Sequence, residues 1–223
     1  MGSKNKLKRF QENETFKNVI QPTRDEVLNN FSHKGKWHSF FGNNNPLIVE
    51  LGCGKGEYTV ALARQNPDKN YIGIDIKGAR FWRGAKTAIE ENLQNVAFVR
   101  TQIELVDYIF TANEISEIWI TFPDPQIKYQ RTKHRMTNTT CLKRYFNVLK
   151  EDGIINLKTD SEFMHGYTLG LLHGEGHEVL YANHNVYHNS GAPKEVTEIQ
   201  TFYENQYLAV DKAITYIKFR LNY

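Results

Sequence analysis

Cysteine is nearly absent from this chain. Cys53 and Cys141 are the two in 223 residues, and they fall in different predicted elements, which excludes a disulfide framework and a four-thiolate zinc site. Both read as reduced packing residues. No apolar run approaches the roughly 20 residues that a membrane-spanning helix needs, and the basic, polar residues 1–10 lack the apolar segment of a secretory signal. The expectation is a cytoplasmic protein with no membrane partner. Internal repeats and low-complexity tracts are missing too. One further absence is local: from Gln126 to Lys150 there is no acid to balance Lys128, Arg131, Lys133, His134, Arg135, Lys143, Arg144 and Lys150. The net charge of +3 is only mildly basic, so this clustering, more than the total, points to phosphate binding.

With 40% hydrophobic residues the chain can bury one sizeable core. Its organising stretch begins at Leu47-Ile48-Val49, a β-branched run after Pro46 that empties into Glu50-Leu51-Gly52-Cys53-Gly54-Lys55-Gly56. That is a buried strand passing into a glycine loop. A helix is predicted over 57–65, stopped by Asn66-Pro67, and Tyr71-Ile72-Gly73-Ile74 is a second strand ending on Asp75. In this βαβ unit glycine lets backbone approach a ligand, and an acid closing the second strand can accept both hydrogens of a ribose diol. The dinucleotide fingerprint needs a third glycine where Glu57 stands, which disfavours a nicotinamide dehydrogenase. The pattern present, E-x-G-x-G-x-G, resembles the first motif of the Rossmann-like S-adenosylmethionine-dependent methyltransferases, whose ligand has no pyrophosphate and carries a cationic methionine end beside an acid such as Glu50.

The rest of the chain reads as continued βα alternation. Residues 1–45 form a basic arm with a role on phosphates, and residues 46–223 form one domain. A helix is predicted over 77–92 with Phe81, Trp82, Ala85 and Ile89 inward, a strand over 95–99, a short helix over 105–110 and a strand over 115–122. Helix 139–149 turns Leu142, Tyr145, Phe146 and Leu149 inward, strand 154–158 ends at Thr159-Asp160, helix 162–172 follows, and strands at 179–182 and 213–221 close the chain. Seven strands, mostly parallel with an antiparallel last one and helices on both faces, make a Rossmann-like methyltransferase fold. Gln102 and Glu104 follow the third strand, at the sheet edge where an adenine is met. After the fourth strand, Phe122-Pro123-Asp124-Pro125 puts a carboxylate between two prolines on a stiff turn. Residues 183–201 form a long polar loop of the kind that is usually functional. His184 and His188 are spaced for a metal on a helix, but their Asn- and Gly-containing surroundings argue against one, and no metal is expected.

At this point the chain resembles the bacterial tRNA (guanine-N7)-methyltransferase family from about Pro46 to its end. The narrow combination is E-x-G-x-G-x-G, FPDP, Lys128 four residues beyond Asp124, Lys158-Thr159-Asp160, and Thr201-Phe202-Tyr203-Glu204 as T-x-[FY]-E. The resemblance implies S-adenosylmethionine as cofactor and tRNA as partner; the sequence leaves monomer and homodimer both open. It implies that Glu50 and Asp75 bind the cofactor, with Gly52, Gly54 and Gly56 in the loop and Gln102 or Glu104 at the adenine, and that Asp124 stands between cofactor and base as the catalytic residue. Lys128, Asp160, Thr201, Phe202, Tyr203 and Glu204 would then contact the substrate, and Arg131, from the basic block, is a further expected donor to guanine O6 or phosphate. Two positions depart from the family: Gln102 where an aspartate is usual, and Gln126 where a tryptophan is usual. The rival readings are a noncatalytic RNA-binding module and a methyltransferase for another RNA base or a protein.

Overall fold

The computed structural model describes residues 3–188 and 191–223. Asn189 and Ser190, in the expected long loop, lie outside the described residues, as do Met1, Gly2 and the side chains of Ser3 and Lys4 in the expected arm. In chain order the first elements are α1 (Ser3–Thr15), β1 (Val19–Ile20), α2 (Arg24–Asn30), α3 (Trp37–Phe41), β2 (Leu47–Leu51), α4 (Glu57–Gln65), β3 (Asn70–Ile74), α5 (Gly78–Glu90) and β4 (Val96–Val99). There follow α6 (Val106–Ile109), β5 (Ile115–Thr121), α7 (Thr139–Val148), β6 (Leu149–Thr159), α8 (Glu162–Gly174), β7 (Glu178–Asn183), α9 (Lys194–Glu198), α10 (Phe202–Leu208) and β8 (Thr215–Arg220).

The strands form one sheet in the order β1-β4-β3-β2-β5-β6-β8-β7. Pairings from β1 through β6 are parallel, and β8 runs antiparallel to both β6 and β7. Parallel strands covered on both faces should be apolar throughout, and β2 and β3 are buried at every position. Alternate residues serve opposite layers: Ile48 and Trp119 pack with Tyr58, Leu62, Phe81 and Phe98 on the α4 and α5 side, while Val49, Leu51, Ile118 and Ile120 join Trp37, Ile109 and Leu142 on the other. Chain order reverses at β2 and β5, so their carboxyl ends flank the crevice where open α/β sheets bind ligands.

The sheet has eight strands where seven were expected. The extra one, β1, is two residues long and too short for any periodicity to announce it. It belongs to a segment that is folded onto the domain. Trp82 Nε1 donates to Glu12 of α1 at 2.5 Å, Asn13 and Asn18 donate to the α5 carbonyls of Gly78 and Ala85, and Val27, Phe31 and Trp37 enter the core. A reciprocal capping box between Thr23 and Glu26 starts α2. Two helical faces differ from expectation. On α5 the buried stripe is Phe81, Gly84, Ala85 and Ala88, Trp82 is only half covered and Ile89 is exposed. On α7 Phe146 points outward against Tyr223, and Cys141 and Val148 are inward instead. Among the described residues, no helix is long and apolar enough to cross a membrane.

Candidate active site

The glycine loop leaves β2 directly into the crevice. Gly52 and Cys53 both donate their amides to the Ile74 carbonyl, at 2.8 and 3.0 Å, which ties the loop to the end of β3. Gly52 and Gly54 take φ of +76° and +56°, a region costly to residues with a Cβ. Asp75 then stands at the lip with each carboxylate oxygen fixed by one backbone amide: Gly54 donates to Oδ2 at 3.0 Å and Lys77 to Oδ1 at 2.7 Å. Lone pairs left over on both oxygens suit a ribose diol. Glu50, Gly52, Gly54, Asp75, Thr201 and Tyr203 line the same cleft, so loop, acid and a later helix converge there. Gly56 stands apart. A Cβ there would lie 2.6 Å from the Phe98 ring, so this glycine answers to packing and to the start of α4 rather than to the cleft.

The Asp124 turn is stiffer than its prolines alone require. Phe122 and Gln126, neither of them glycine, take φ of +48° and +47° on either side of it. Such conformations cost about 1–3 kcal/mol each and persist where surrounding structure imposes them. Here the Phe122 amide donates to the Lys158 carbonyl at 2.8 Å, and Arg135 donates to the carbonyls of Gln126 and Ile127 at 3.1 and 3.2 Å. Arg135 was expected in the phosphate-binding block. It is 6% exposed, packed against the Phe163 and Tyr167 rings, and so it braces the turn. Asp124 is left exposed beside Lys128 and Arg131, which share a shallow hollow with it. Tyr129, 89% exposed, and Ile127, 65% exposed, stand in the same segment. Their exposure was not legible from the sequence, where an aromatic inside a charge run has no periodic partner.

The other expected positions separate. Gln102 is exposed and its amide oxygen accepts from the Arg24 guanidinium, while Glu104 is exposed on a single 3-10 turn; neither lines the glycine-loop cleft. Asp160 accepts from the Lys212 ammonium. Thr201 caps α10 and faces the cleft, and Phe202 and Tyr203 are about half exposed, with the Lys55 ammonium 3.7 Å from the Phe202 ring centre. Glu204 is fully buried. Its carboxylate takes the Lys158 ammonium at 2.7 Å, the Tyr187 hydroxyl at 2.6 Å and the Thr201 amide at 3.3 Å, so it holds the start of α10 in place. In the long loop α9 and the capped start of α10 were not foreseen, and the His184 ring packs on His165 at 4.4 Å.

The family model described as "Putative methyltransferase" matches residues 44–217. The tRNA (guanine-N(7)-)-methyltransferase of Christiangramia forsetii is 74% identical over 223 residues, covering 99% of this chain and 100% of that protein. The chain belongs to the tRNA (guanine-N7)-methyltransferase family. Another member, from Bacteroides thetaiotaomicron, is 46% identical over 220 residues, with 98% of this chain and 86% of that protein covered. Among solved structures, the 16S rRNA methyltransferase KamB superposes with a TM-score of 0.64 at 12% identity over 85% of this chain and 94% of that one, a likeness of fold alone. A methyltransferase of this family uses S-adenosylmethionine, and the cleft suits it: the open backbone at Gly54 and the free lone pairs of Asp75 fit a nucleoside.

Glu50 sits beneath this family's cofactor loop as a buried acid. One carboxylate oxygen accepts from the amide of Thr59 at 2.9 Å and from its hydroxyl, the other from the Thr121 hydroxyl at 2.6 Å. Burial pushes its pKa up to about 7 against the pull of those three donors, with the Asp75 charge adding to the rise. A folded-state pKa above the unfolded one means stability that is complete below about pH 4.5 and lost as pH rises through about 7. We expect the ligand-free protein to lose roughly 3 kcal/mol across that window, and Glu50→Gln to flatten the decline. Denaturant melts at pH 5, 6, 7 and 8 read this directly; an equally steep decline in the variant would assign the titration to another group.

Proposed function

We infer that this chain methylates N7 of a guanine in the tRNA variable loop, with Asp124 at the reacting centre. The observation that carries the reading is the Asp124 turn. It is pinned by Lys158 and Arg135, directly follows Thr121 and Phe122, which line the glycine-loop crevice, and carries exposed cations and an exposed aromatic ring. Bound S-adenosylmethionine supplies an electrophilic methyl group on a sulfonium. Guanine N7 has a free lone pair, so the N–C bond forms as the C–S bond breaks and no proton need leave first. Asp124 therefore acts as a fixed carboxylate near positive charge passing from sulfur to the purine, and the rigid turn contributes orientation, which is worth roughly 7–11 kcal/mol in well-aligned systems. Lys128 and Arg131 donate to O6 or to a flanking phosphate. The major groove of folded RNA is too narrow for this approach, so the target guanine is in a loop or turned out of its stack. A variable-loop guanine meets that need. A cytoplasmic setting follows from a tRNA substrate, and the transfer calls for no metal.

Gln126 supplies no ring where the family has one, and Tyr129 is placed to stack on an extruded base in its stead. Base stacking on an aromatic ring is worth about 1–3 kcal/mol. Tyr129→Ala should therefore raise KM for tRNA by about 5- to 150-fold at that energy, leaving cofactor affinity as it was. Steady-state kinetics with cofactor titration checks both numbers.

The reading as a whole is tested by methyl transfer from labelled S-adenosylmethionine to unmodified tRNA transcripts, followed by cleavage chemistry specific for N7-methylguanine. Strand scission at one variable-loop guanine is the expected result. Label without scission would retain a tRNA methyltransferase and reject N7.

A further inference from the structure

We propose that the cleft between α1 and the start of α5 is a second anchoring surface for the phosphate backbone of the substrate RNA, so that the RNA is held on both sides of the cofactor loop. The proposal rests on the tRNA reading above and assigns a separate part of the molecule to it. The cleft has a volume of about 830 Å³. Lys6 and Arg9 line it from α1, Lys77, Arg80 and Arg83 from α5 and the residue before it, and Arg100 from the end of β4. Lys55 adds a further cation, and Glu57 is the one carboxylate among the described lining residues, already accepting from the Phe202 amide at 3.2 Å.

The cations differ in how firmly they are held. Arg100 lies over the Phe10 ring at 4.7 Å and Arg9 over Trp82 at 4.5 Å, so their planar groups are pre-positioned by packing. Arg83 is paired with Glu90 at 2.8 Å. Lys6, Lys77 and Arg80 are exposed and have no acid within ion-pair distance among the described residues. So many like charges along one groove repel one another and destabilise the fold unless a polyanion neutralises them. One small anion would leave most of them unanswered, whereas a nucleic-acid strand presents repeated phosphates.

Position in the sheet supplies the second argument. Gly54, Lys55, Glu57, Arg80 and Tyr203 line this cleft and the cofactor cleft alike, so the two open into each other. The basic block after Asp124 follows β5, on one side of β2, while α5 and β4 belong to the other side. A strand whose base reaches Asp124 can thus lay its flanking phosphates on the α1–α5 face. Such phosphate pairings position the RNA without reading its sequence, so the methylated nucleotide should not change when they are removed.

The test compares wild type, Lys6→Gln/Lys77→Gln and the single variant Lys6→Gln for binding of a fluorescent tRNA transcript across salt concentrations, with S-adenosylmethionine affinity measured in parallel. The double variant should bind tRNA at least tenfold more weakly at low salt. Its plot of log affinity against log salt should be shallower by about 2, near 0.9 for each phosphate that is no longer neutralised, with cofactor affinity unchanged. Lys6→Gln alone should make the slope shallower by about 1 for the same reason. Unchanged affinity and slope in both variants would overturn the proposal, and so would cofactor affinity falling in step with tRNA affinity, which would make the cleft part of the cofactor site. Wild-type methylation of the same transcript separates the two readings: its failure would count against the N7 assignment, while the salt slopes would still decide the surface.

Discussion

Asp124→Ala should lower the rate constant for methyl transfer by about 100- to 1,000-fold, the usual cost of removing one preorganised electrostatic group from a reacting centre. The side chain is exposed, and its hydrogen bond within the turn is a long one, from the Gln126 amide at 3.3 Å. Its loss should therefore cost little stability, and the effect should fall on kcat rather than on folding. The geometry that presents it does not depend on it: Lys158 and Arg135 hold the flanking left-handed residues whether or not a carboxylate sits between them. Asp124→Asn is the sharper control because it keeps the shape and removes the charge. If charge stabilisation is what the residue supplies, asparagine should recover only a small part of the rate, and single-turnover measurements at saturating tRNA would show it. If asparagine restored most of the rate, Asp124 would be acting by hydrogen bonding alone. Near-normal turnover in the alanine variant would remove Asp124 from the reaction.

The division between what the sequence disclosed and what it hid follows from the range of the interactions. The βαβ unit was legible because glycines, apolar runs and Asp75 lie within about 30 residues and each carries a local signal. The Asp124 turn was legible from its prolines. Its bracing was not, because Arg135 looks like one more member of a basic run until Phe163 and Tyr167, from α8, close over it. The first 45 residues read as an arm because their charges dominate short, uneven apolar spacing. Val27, Phe31 and Trp37 join a core whose other members come largely from the sheet, α6 and α7, far along the chain, and no helix-length stripe announces them. The motif at Thr201-Phe202-Tyr203-Glu204 reads in the sequence as four substrate contacts, and the structure gives its members different surroundings. Its pattern marks a capped helix start, in which Phe202 and Tyr203 face outward while Glu204 turns into the core.

That inward turn sets up the largest expected effect on stability. Lys158 and Glu204 are both fully buried, and burial lowers the lysine pKa while the glutamate pulls it back up. Removing one partner of such a pair costs about 3–5 kcal/mol, because the other charge is left without compensation. Lys158→Met should strand the Glu204 carboxylate with only Tyr187 and the Thr201 amide. At about 2–4 °C per kcal/mol for a chain of this size, the melting temperature should drop by roughly 6–20 °C. The double variant Lys158→Met/Glu204→Gln buries no net charge and should regain about 1–4 kcal/mol of that loss. Thermal melts of the single and double variants decide this: a double variant as unstable as the single one would mean that poorer packing, not stranded charge, is the cause. The catalytic readout then separates stability from placement. The Lys158 ammonium lies under the Phe122 ring, 5.8 Å from its centre, and ties down the start of α10, so one buried cation registers the Asp124 turn against Tyr203 across the crevice. A folded double variant should therefore lose turnover even at saturating cofactor and tRNA, because the two walls of the site would no longer be held to a common post.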